Sequence, residues 1–352
     1  MTREDNRLRV VAATPISEEL IDMVVAREPR IDFIRDQELL PLMRFPGDHS
    51  GDPSFERTPE QQERFESLID SAEALYGLPD ESATALKRAA DANPGLRWVQ
   101  GMPAGVGGQV KRAGLTDEQL DRVAVTSSAG VHVGPLAEFA VFGLLAGAKT
   151  LPRLQEQQRE HRWTDRWNMK HLGQQTILVV GLGSIGRETA RKLKAMGAKV
   201  VGTSRHSAPV EHVDEIVHPD ELAEVVARVD GIVVTLPGTS ATEKMIDARV
   251  LANVVPGTTL VNVGRGTVID EDALVAALAD GRVGFAALDV FASEPLSGDS
   301  PLWDSPHVLV SPHTAAVNSE EDRLIAELFA ENARRYLDGE DLINRVDTVE
   351  FY

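Results

Sequence analysis

Residues 175–205 read QTILVVGLGSIGRETARKLKAMGAKVVGTSR. Gly181, Gly183 and Gly186 stand in GxGxxG spacing directly after an apolar, strand-like run and directly before a helical one, and a second strand-like run follows. The three glycines differ in what they permit. Gly181 allows a tight turn, Gly183 lets backbone approach a phosphate, and Gly186 lets helix pack on strand. With Ser184 and Ile185 at the start of the helix, they form a cradle suited to the pyrophosphate of a dinucleotide. An acidic residue after the second strand would accept hydrogen bonds from the adenosine ribose, but this chain has Ser204 and Arg205 there. A hydroxyl beside a guanidinium suits a 2′-phosphate better, so NADP(H) is favoured, with NAD(H) as the alternative.

Three further residues carry chemistry: Arg265 in VNVGRGTVIDEDAL (261–274), Glu294 in ALDVFASEPL (287–296) and His313 in SPHTAA (311–316). Taken singly, they read as a surface charge, a turn residue and a structural hydrogen bonder. Taken together, they all fall at or just beyond the C-terminal ends of apolar strand-like runs, where open parallel sheets bind ligands. Reducing a ketone by hydride transfer builds negative charge on the carbonyl oxygen, which calls for a proton donor and for a cation to hold a neighbouring carboxylate. His, Glu and Arg suffice for that, since a carboxylate beside an imidazole favours the charged ring. His161 and Trp163 read as a packed tryptophan with a polar neighbour, and Asp270, Glu271 and Asp272 as helix capping and dipole complementation. No His, Asp and Glu grouping has metal-ligand spacing, so no metal is expected.

The elements that must position these groups alternate between strand and helix. Leu8–Ala13, Ile31–Ile34, Ala72–Tyr76 and Leu96–Val99 read as strands of one open sheet, with a helix over Ser17–Arg27. A segment rich in Pro, Gly, Asp and Ser, 45–59, reads as a surface loop without chemistry of its own. A second series contains strands at Ile177–Val180, Lys199–Gly202, Gly231–Leu236, Thr259–Val263, Phe285–Val290 and Val308–Val310, and helices at Ile185–Met196, Asp220–Ala227, Glu271–Ala279 and Glu320–Tyr336. Runs this apolar belong to strands buried on both faces, hence to a parallel, doubly wound sheet. The stretch Pro135–Trp163 reads as a long helix kinked or divided near Pro152. Its apolar half needs covering, either by the rest of the chain or by a second subunit. The fold class is therefore α/β, with two Rossmann- or flavodoxin-like open parallel-sheet domains and a cleft between them.

The 352 residues suit two domains, and 42% hydrophobic with 26% charged residues permits a large core. The absence of cysteine removes disulfides and thiolate chemistry and fits a cytoplasmic location. The start, MTREDNRLRVV, does not read as a secretory signal, and no apolar run is long enough for a membrane span. A net charge of −19 disfavours nucleic acid and membrane partners and requires that an anionic substrate be held by a local cation.

The three motifs at 261–274, 287–296 and 311–316, behind the GxGxxG, resemble the D-isomer-specific 2-hydroxyacid dehydrogenase family from about Val125 to about Ala316. The resemblance implies a dinucleotide domain over 125–316 and a substrate domain over 1–124 completed by 317–352. It implies that Arg265 grips the substrate carboxylate and carbonyl, that Glu294 partners His313, and that His313 is the acid/base. Asp289 matches the position contacting the nicotinamide amide, and Leu236, Pro237, Val263, Gly264 and Ala315 complete the expected dinucleotide contacts. Trp98–Val106 is similar to the family's substrate loop, with Gly105 and Val106 as substrate contacts, although Gly107 stands where the family often has an acidic residue. A homodimer through the long helical stretch is also implied. The expected substrates are small 2-oxo or 2-hydroxy acids of D configuration, in the manner of glyoxylate/hydroxypyruvate reductases. Two alternatives share the scaffold: a dinucleotide-sensing, corepressor-like binding protein, and a formate-dehydrogenase-like enzyme, which pairs its histidine with glutamine where this chain has Glu294.

Overall fold

The computed structural model describes residues 7–349. Its strands are β1 (Leu8–Ala12), β2 (Ile31–Ile34), β3 (Ala74–Tyr76), β4 (Trp98–Gln100), β5 (Ala124–Thr126), β6 (Thr176–Val180), β7 (Lys199–Thr203), β8 (Glu215–Val217), β9 (Gly231–Val234), β10 (Thr258–Asn262), β11 (Val283–Leu288) and β12 (Val308–Val310). They form two sheets, ordered β2-β1-β3-β4-β5 and β12-β11-β10-β9-β6-β7-β8, and every neighbouring pair is parallel. The helices are α1 (Glu18–Arg27), α2 (Pro59–Asp70), α3 (Ala83–Ala92), α4 (Gly107–Ala113), α5 (Asp117–Arg122), α6 (Val133–Ala148), α7 (Leu151–Arg159), α8 (Ser184–Ala195), α9 (Leu222–Val225), α10 (Ala248–Ala252), α11 (Glu271–Ala279) and α12 (Glu321–Asp338). The chain divides into two compact units, Met1–His132 with Val317–Tyr352, and Val133–Ala316.

In the first unit α12 packs into the core beside the sheet. The ring of Phe329 stacks on Trp98 at 4.6 Å and meets Tyr76 edge-on at 5.2 Å. Trp98 Nε1 donates to Thr126 Oγ1 at 2.9 Å, and that hydroxyl donates to Gln100 Oε1 at 2.8 Å. β5 thus stays with the first sheet through a buried polar chain as well as its ladder.

The 45–59 segment has no regular structure before α2 begins at Pro59, but it is fastened rather than loose. The Gly47 amide donates to Asp322, and the half-buried ring of His49 lies 3.4 Å from Glu321 Oε1. His132 Nε2 lies 3.0 Å from the same oxygen. One buried carboxylate in the first turn of α12 therefore ties the loop to the segment after β5.

In the second unit α6 lays Leu136, Ala140 and Leu144 on the sheet and on α8, so the apolar half of the long helical stretch is covered largely by its own unit. The helix breaks at Thr150, which is left-handed at φ 52°, and α7 leaves at a bend of 65°. Pro152 sits in the first turn of α7, where its missing amide breaks no helical hydrogen bond. No single described helix is long and apolar enough to cross a membrane. Trp163 differs from the expected packed side chain: it is fully exposed. The expected helix over Asp220–Ala227 is α9 flanked by two 3-10 turns.

Burial by itself pushes the Glu321 carboxyl up, but hydrogen bonds and charge from His132 and His49 outweigh it and hold the group at about 2. A depressed carboxylate stabilises the fold fully above its unfolded value and loses that contribution as pH falls through the folded value. Glu321→Gln is therefore expected to cost roughly 3 kcal/mol at pH 6. The gap between parent and variant in urea-unfolding free energy should close as pH falls from about 4.5 towards 2. A gap that does not change with pH would contradict this assignment.

Candidate active site

The turn after β6 is built from close approaches. Gly181 has φ +104°, a conformation that favours glycine, and its amide donates to the buried Thr203 Oγ1 at 2.9 Å. Thr235 Oγ1 donates to the Gly181 carbonyl at 2.8 Å. A methyl group on Gly186 would run into that same carbonyl oxygen, so α8 can approach the turn only through glycine. At Gly183, the N-cap of α8, an added methyl would meet no protein atom within 4 Å, and no side chain caps the helix. The first-turn amides of a twelve-residue helix thus face open space beside Ser184 and Ile185, as a pyrophosphate requires. After β7, Ser204 Oγ accepts from the His206 amide at 3.0 Å. Arg205 is exposed, and its guanidinium has no hydrogen-bond or ion-pair partner among the described residues.

Arg265 follows β10 in extended backbone at φ −138°. Both flanking glycines are places where backbone meets backbone. A methyl on Gly264 would come within 2.5 Å of the Leu236 carbonyl oxygen, and one on Gly266 would overlap the Phe291 backbone. Asn262 closes the turn, accepting from the Gly264 amide and donating to the Arg265 carbonyl, both at 3.0 Å. The exposed guanidinium gives one hydrogen bond, from Nη1 to the Gly264 carbonyl at 2.8 Å. Leu236 and Pro237 follow β9, and buried Val263 donates its amide to the Val234 carbonyl at 3.1 Å.

Phe291, which abuts Gly266, donates its amide to Glu294 Oε1 at 3.0 Å. Glu294 Oε2 lies 2.7 Å from His313 Nδ1. Both side chains remain more than a third exposed, at 36% and 47%. Glu271 Oε2 accepts from the Ala292 amide, so it ties down the loop that carries Glu294. As expected of the acidic run, Asp270 caps α11, accepting from the Ala273 amide, and Glu271 and Asp272 stand in its first turn. A cavity of about 460 Å³ adjoins the pair, lined by Phe291, Leu296, Trp303 and Val310 among others.

Asp289 is buried. Its Oδ1 accepts from Ser311 Oγ and from the Thr314 and Ala315 amides. Its Oδ2 is buried and finds no partner among the described residues. An orphaned carboxylate oxygen needs a donor, and a carboxamide N–H supplies one. Together with the open Gly183 turn, it shows that these residues fit a nicotinamide dinucleotide.

In the first unit the expected substrate loop gives a divided result. Gly105 is exposed, whereas the Val106 side chain is fully buried and fills the space beside Gly101. Sequence reasoning misses Asn262, Thr203, Thr235, Glu271 and Ser311 as members of the site. For the first two the only signal is a polar residue ending a buried strand.

A seven-stranded parallel sheet with a glycine turn on its first helix and an orphaned carboxylate beyond β11 defines a dinucleotide-binding Rossmann protein. Residues 141–315 match the family model described as D-isomer specific 2-hydroxyacid dehydrogenase, NAD binding domain. The chain is 30% identical to a D-isomer specific 2-hydroxyacid dehydrogenase from Xanthobacter autotrophicus Py2, solved with NADPH and MES, with TM-score 0.77 over 99% of this chain and 100% of that one. It is 25% identical to an NADPH-dependent glyoxylate/hydroxypyruvate reductase from Sinorhizobium meliloti, solved with NADP and sulfate, with TM-score 0.76 over 98% and 100%. It is 35% identical over 66% of its length to D-3-phosphoglycerate dehydrogenase of Mycobacterium tuberculosis, of which it covers 45%. The chain thus spans about half the length of that relative. The chain belongs to the D-isomer-specific 2-hydroxyacid dehydrogenase family.

The second and third glycines make separable expectations. Gly186→Ala should lower the melting temperature by several degrees and weaken dinucleotide binding by more than about tenfold, because helix and turn must move apart. Gly183→Ala should leave the melting temperature unchanged while still weakening binding, since its methyl meets only the ligand. Thermal unfolding and calorimetric titration with NADPH check both, and a Gly183→Ala variant that binds like the parent contradicts the cradle.

Proposed function

We propose that the protein reduces small 2-oxo acids such as glyoxylate and hydroxypyruvate to D-2-hydroxy acids, with NADPH as the preferred cofactor. The observation that carries the reading is the 2.7 Å pairing of His313 Nδ1 with Glu294 Oε2, on the strand-end edge that also carries Arg265. A bound reduced nicotinamide dinucleotide supplies the hydride. Because Glu294 takes Nδ1, the ring nitrogen left for the substrate is Nε2, and a proton given from there neutralises the oxygen at C2 as it gains charge. In the opposite direction the same nitrogen, unprotonated, takes the hydroxyl proton. Arg265, with four of its five N–H donors uncommitted, holds the substrate carboxylate by a two-pronged contact. The Asp289 carboxylate, through Oδ2, receives the carboxamide of the nicotinamide.

The preference for NADPH is supported by Ser204 and Arg205, since a free guanidinium beside a hydroxyl matches a 2′-phosphate. It is also supported by the NADPH and NADP found in the Xanthobacter and Sinorhizobium relatives. Exposed Phe142, Leu154, Trp163 and Met169, on and after α6 and α7, support a homodimer in which a second copy covers them. A cytoplasmic location accords with a chain free of cysteine.

Assaying a panel of 2-oxo acids with both cofactors tests the reading, and absence of turnover with every acid contradicts it. Arg265→Lys, a point charge in place of a planar fork, should lower kcat/KM about a hundredfold with NADPH affinity unchanged. Ser204→Asp should repel the 2′-phosphate and offer acceptors to a ribose, shifting the NADPH/NADH ratio of kcat/KM at least about tenfold towards NADH. A parent enzyme that already prefers NADH would overturn the cofactor assignment alone.

A further inference from the structure

His313 is held in the left-handed region at φ 53°, which a residue bearing a side chain adopts only when its surroundings impose it. The surroundings are one buried carboxylate. Asp289 Oδ1 accepts from Ser311 Oγ at 2.6 Å and from the Thr314 and Ala315 amides at 3.0 Å each. The Asp289 carbonyl accepts from the His313 amide at 2.9 Å, and the Ser311 amide donates to the Leu288 carbonyl at 2.9 Å. The turn 311–315 is therefore wrapped round the end of β11. Of its four bonds to Asp289, the one made by a side chain comes from Ser311.

Ser311 and Asp289 are both buried, at 8% and 1% exposure. The Ser311 hydroxyl fixes which carboxylate oxygen faces the turn, and so leaves Oδ2 facing away and unpartnered. An alanine here would free the carboxylate to rotate about its last side-chain bond. The two amides on the far side of His313 would then share an acceptor of uncertain direction.

We propose that Ser311 is a positioning residue for His313: by locking the Asp289 carboxylate, it holds the turn that seats the imidazole against Glu294. The inference rests on His313 being the acid/base of the reaction proposed above. The Ser311 hydroxyl gives its hydrogen bond to Asp289 and none to His313 or Glu294, so its effect passes through Asp289. Substrate binding by Arg265, on a different strand end, is left alone. Ser311→Ala should therefore lower kcat about tenfold with little change in the KM of the 2-oxo acid, because the loss is one hydrogen bond's worth of orientation. Ser311→Thr, which keeps the hydroxyl, should recover most of that loss.

A readout independent of turnover comes from the histidine ring resonances of the dinucleotide-free protein. In the parent, the Nδ1 proton of His313, assigned by its absence in His313→Gln, should be protected and strongly downfield because Glu294 holds it. In Ser311→Ala it should broaden through exchange with water, and in Ser311→Thr it should return. Should the alanine variant not fold, Ser311→Cys, close in size but a weak donor, carries the same comparison. Unchanged kcat and an unchanged His313 resonance in Ser311→Ala would overturn the inference. Full activity in His313→Gln would instead overturn the role of His313 itself, which distinguishes the two failures.

Discussion

A carboxylate buried at the end of β11 sets the geometry on which the rest of the site depends. Asp289 Oδ1 gathers three donors, and its backbone carbonyl takes a fourth. A buried charge that gathers this many hydrogen bonds is secure in its position, and the segment supplying them is equally constrained. His313 belongs to that segment, and Glu294 fixes its ring from the other side. The imidazole is therefore placed by two carboxylates with different roles. Asp289 shapes the backbone that carries it, and Glu294 orients the ring.

The same strand-end edge is crowded with contacts that only glycine permits. The methyl missing from Gly264 leaves room for the Leu236 carbonyl, and that missing from Gly266 leaves room for the Phe291 backbone. Phe291 in turn gives its amide to Glu294. Arg265 and Glu294 are thus related through direct backbone packing, with Glu271 bracing the loop from α11. A rigid edge of this kind keeps polar groups oriented before a substrate arrives, which is where much of the advantage of an enzyme site over water originates.

Much of this is legible in the sequence, for reasons that differ from residue to residue. Gly181 and Gly186 are readable because backbone conformation and packing leave room for glycine alone, and Gly183 because its spacing between them completes the GxGxxG pattern. Arg265, Glu294 and His313 are readable because each follows an apolar run long enough to mark a strand end. β5, an Ala-Val-Thr run, and β8, which begins with the charged Glu215, carry too little apolar pattern. α2 opens PEQQER, a polar run in which the buried Phe65 and Ile69 supply only a sparse helical stripe. The bracing roles of Ser311, Glu271 and Asn262 depend on partners identified only once the chain is folded. The link from His132 to Glu321 spans 189 positions, and the loop that reads as plain surface gains its anchor through the same carboxylate. Long-range polar pairs of this kind leave no local periodicity to read.

The central claim is that His313 moves the proton and that Glu294 holds its ring for the transfer. The most direct measurement is a pair of pH profiles of kcat/KM, one for reduction of a 2-oxo acid and one for oxidation of the product, in the parent and in Glu294→Gln. Reduction needs the protonated ring and oxidation the neutral one, so the parent profiles should run in opposite directions. In Glu294→Gln the ring loses its charged partner at Nδ1, and kcat/KM should fall in both directions. Parent profiles that run in the same direction, or a Glu294→Gln enzyme as active as the parent in both directions, would contradict the account.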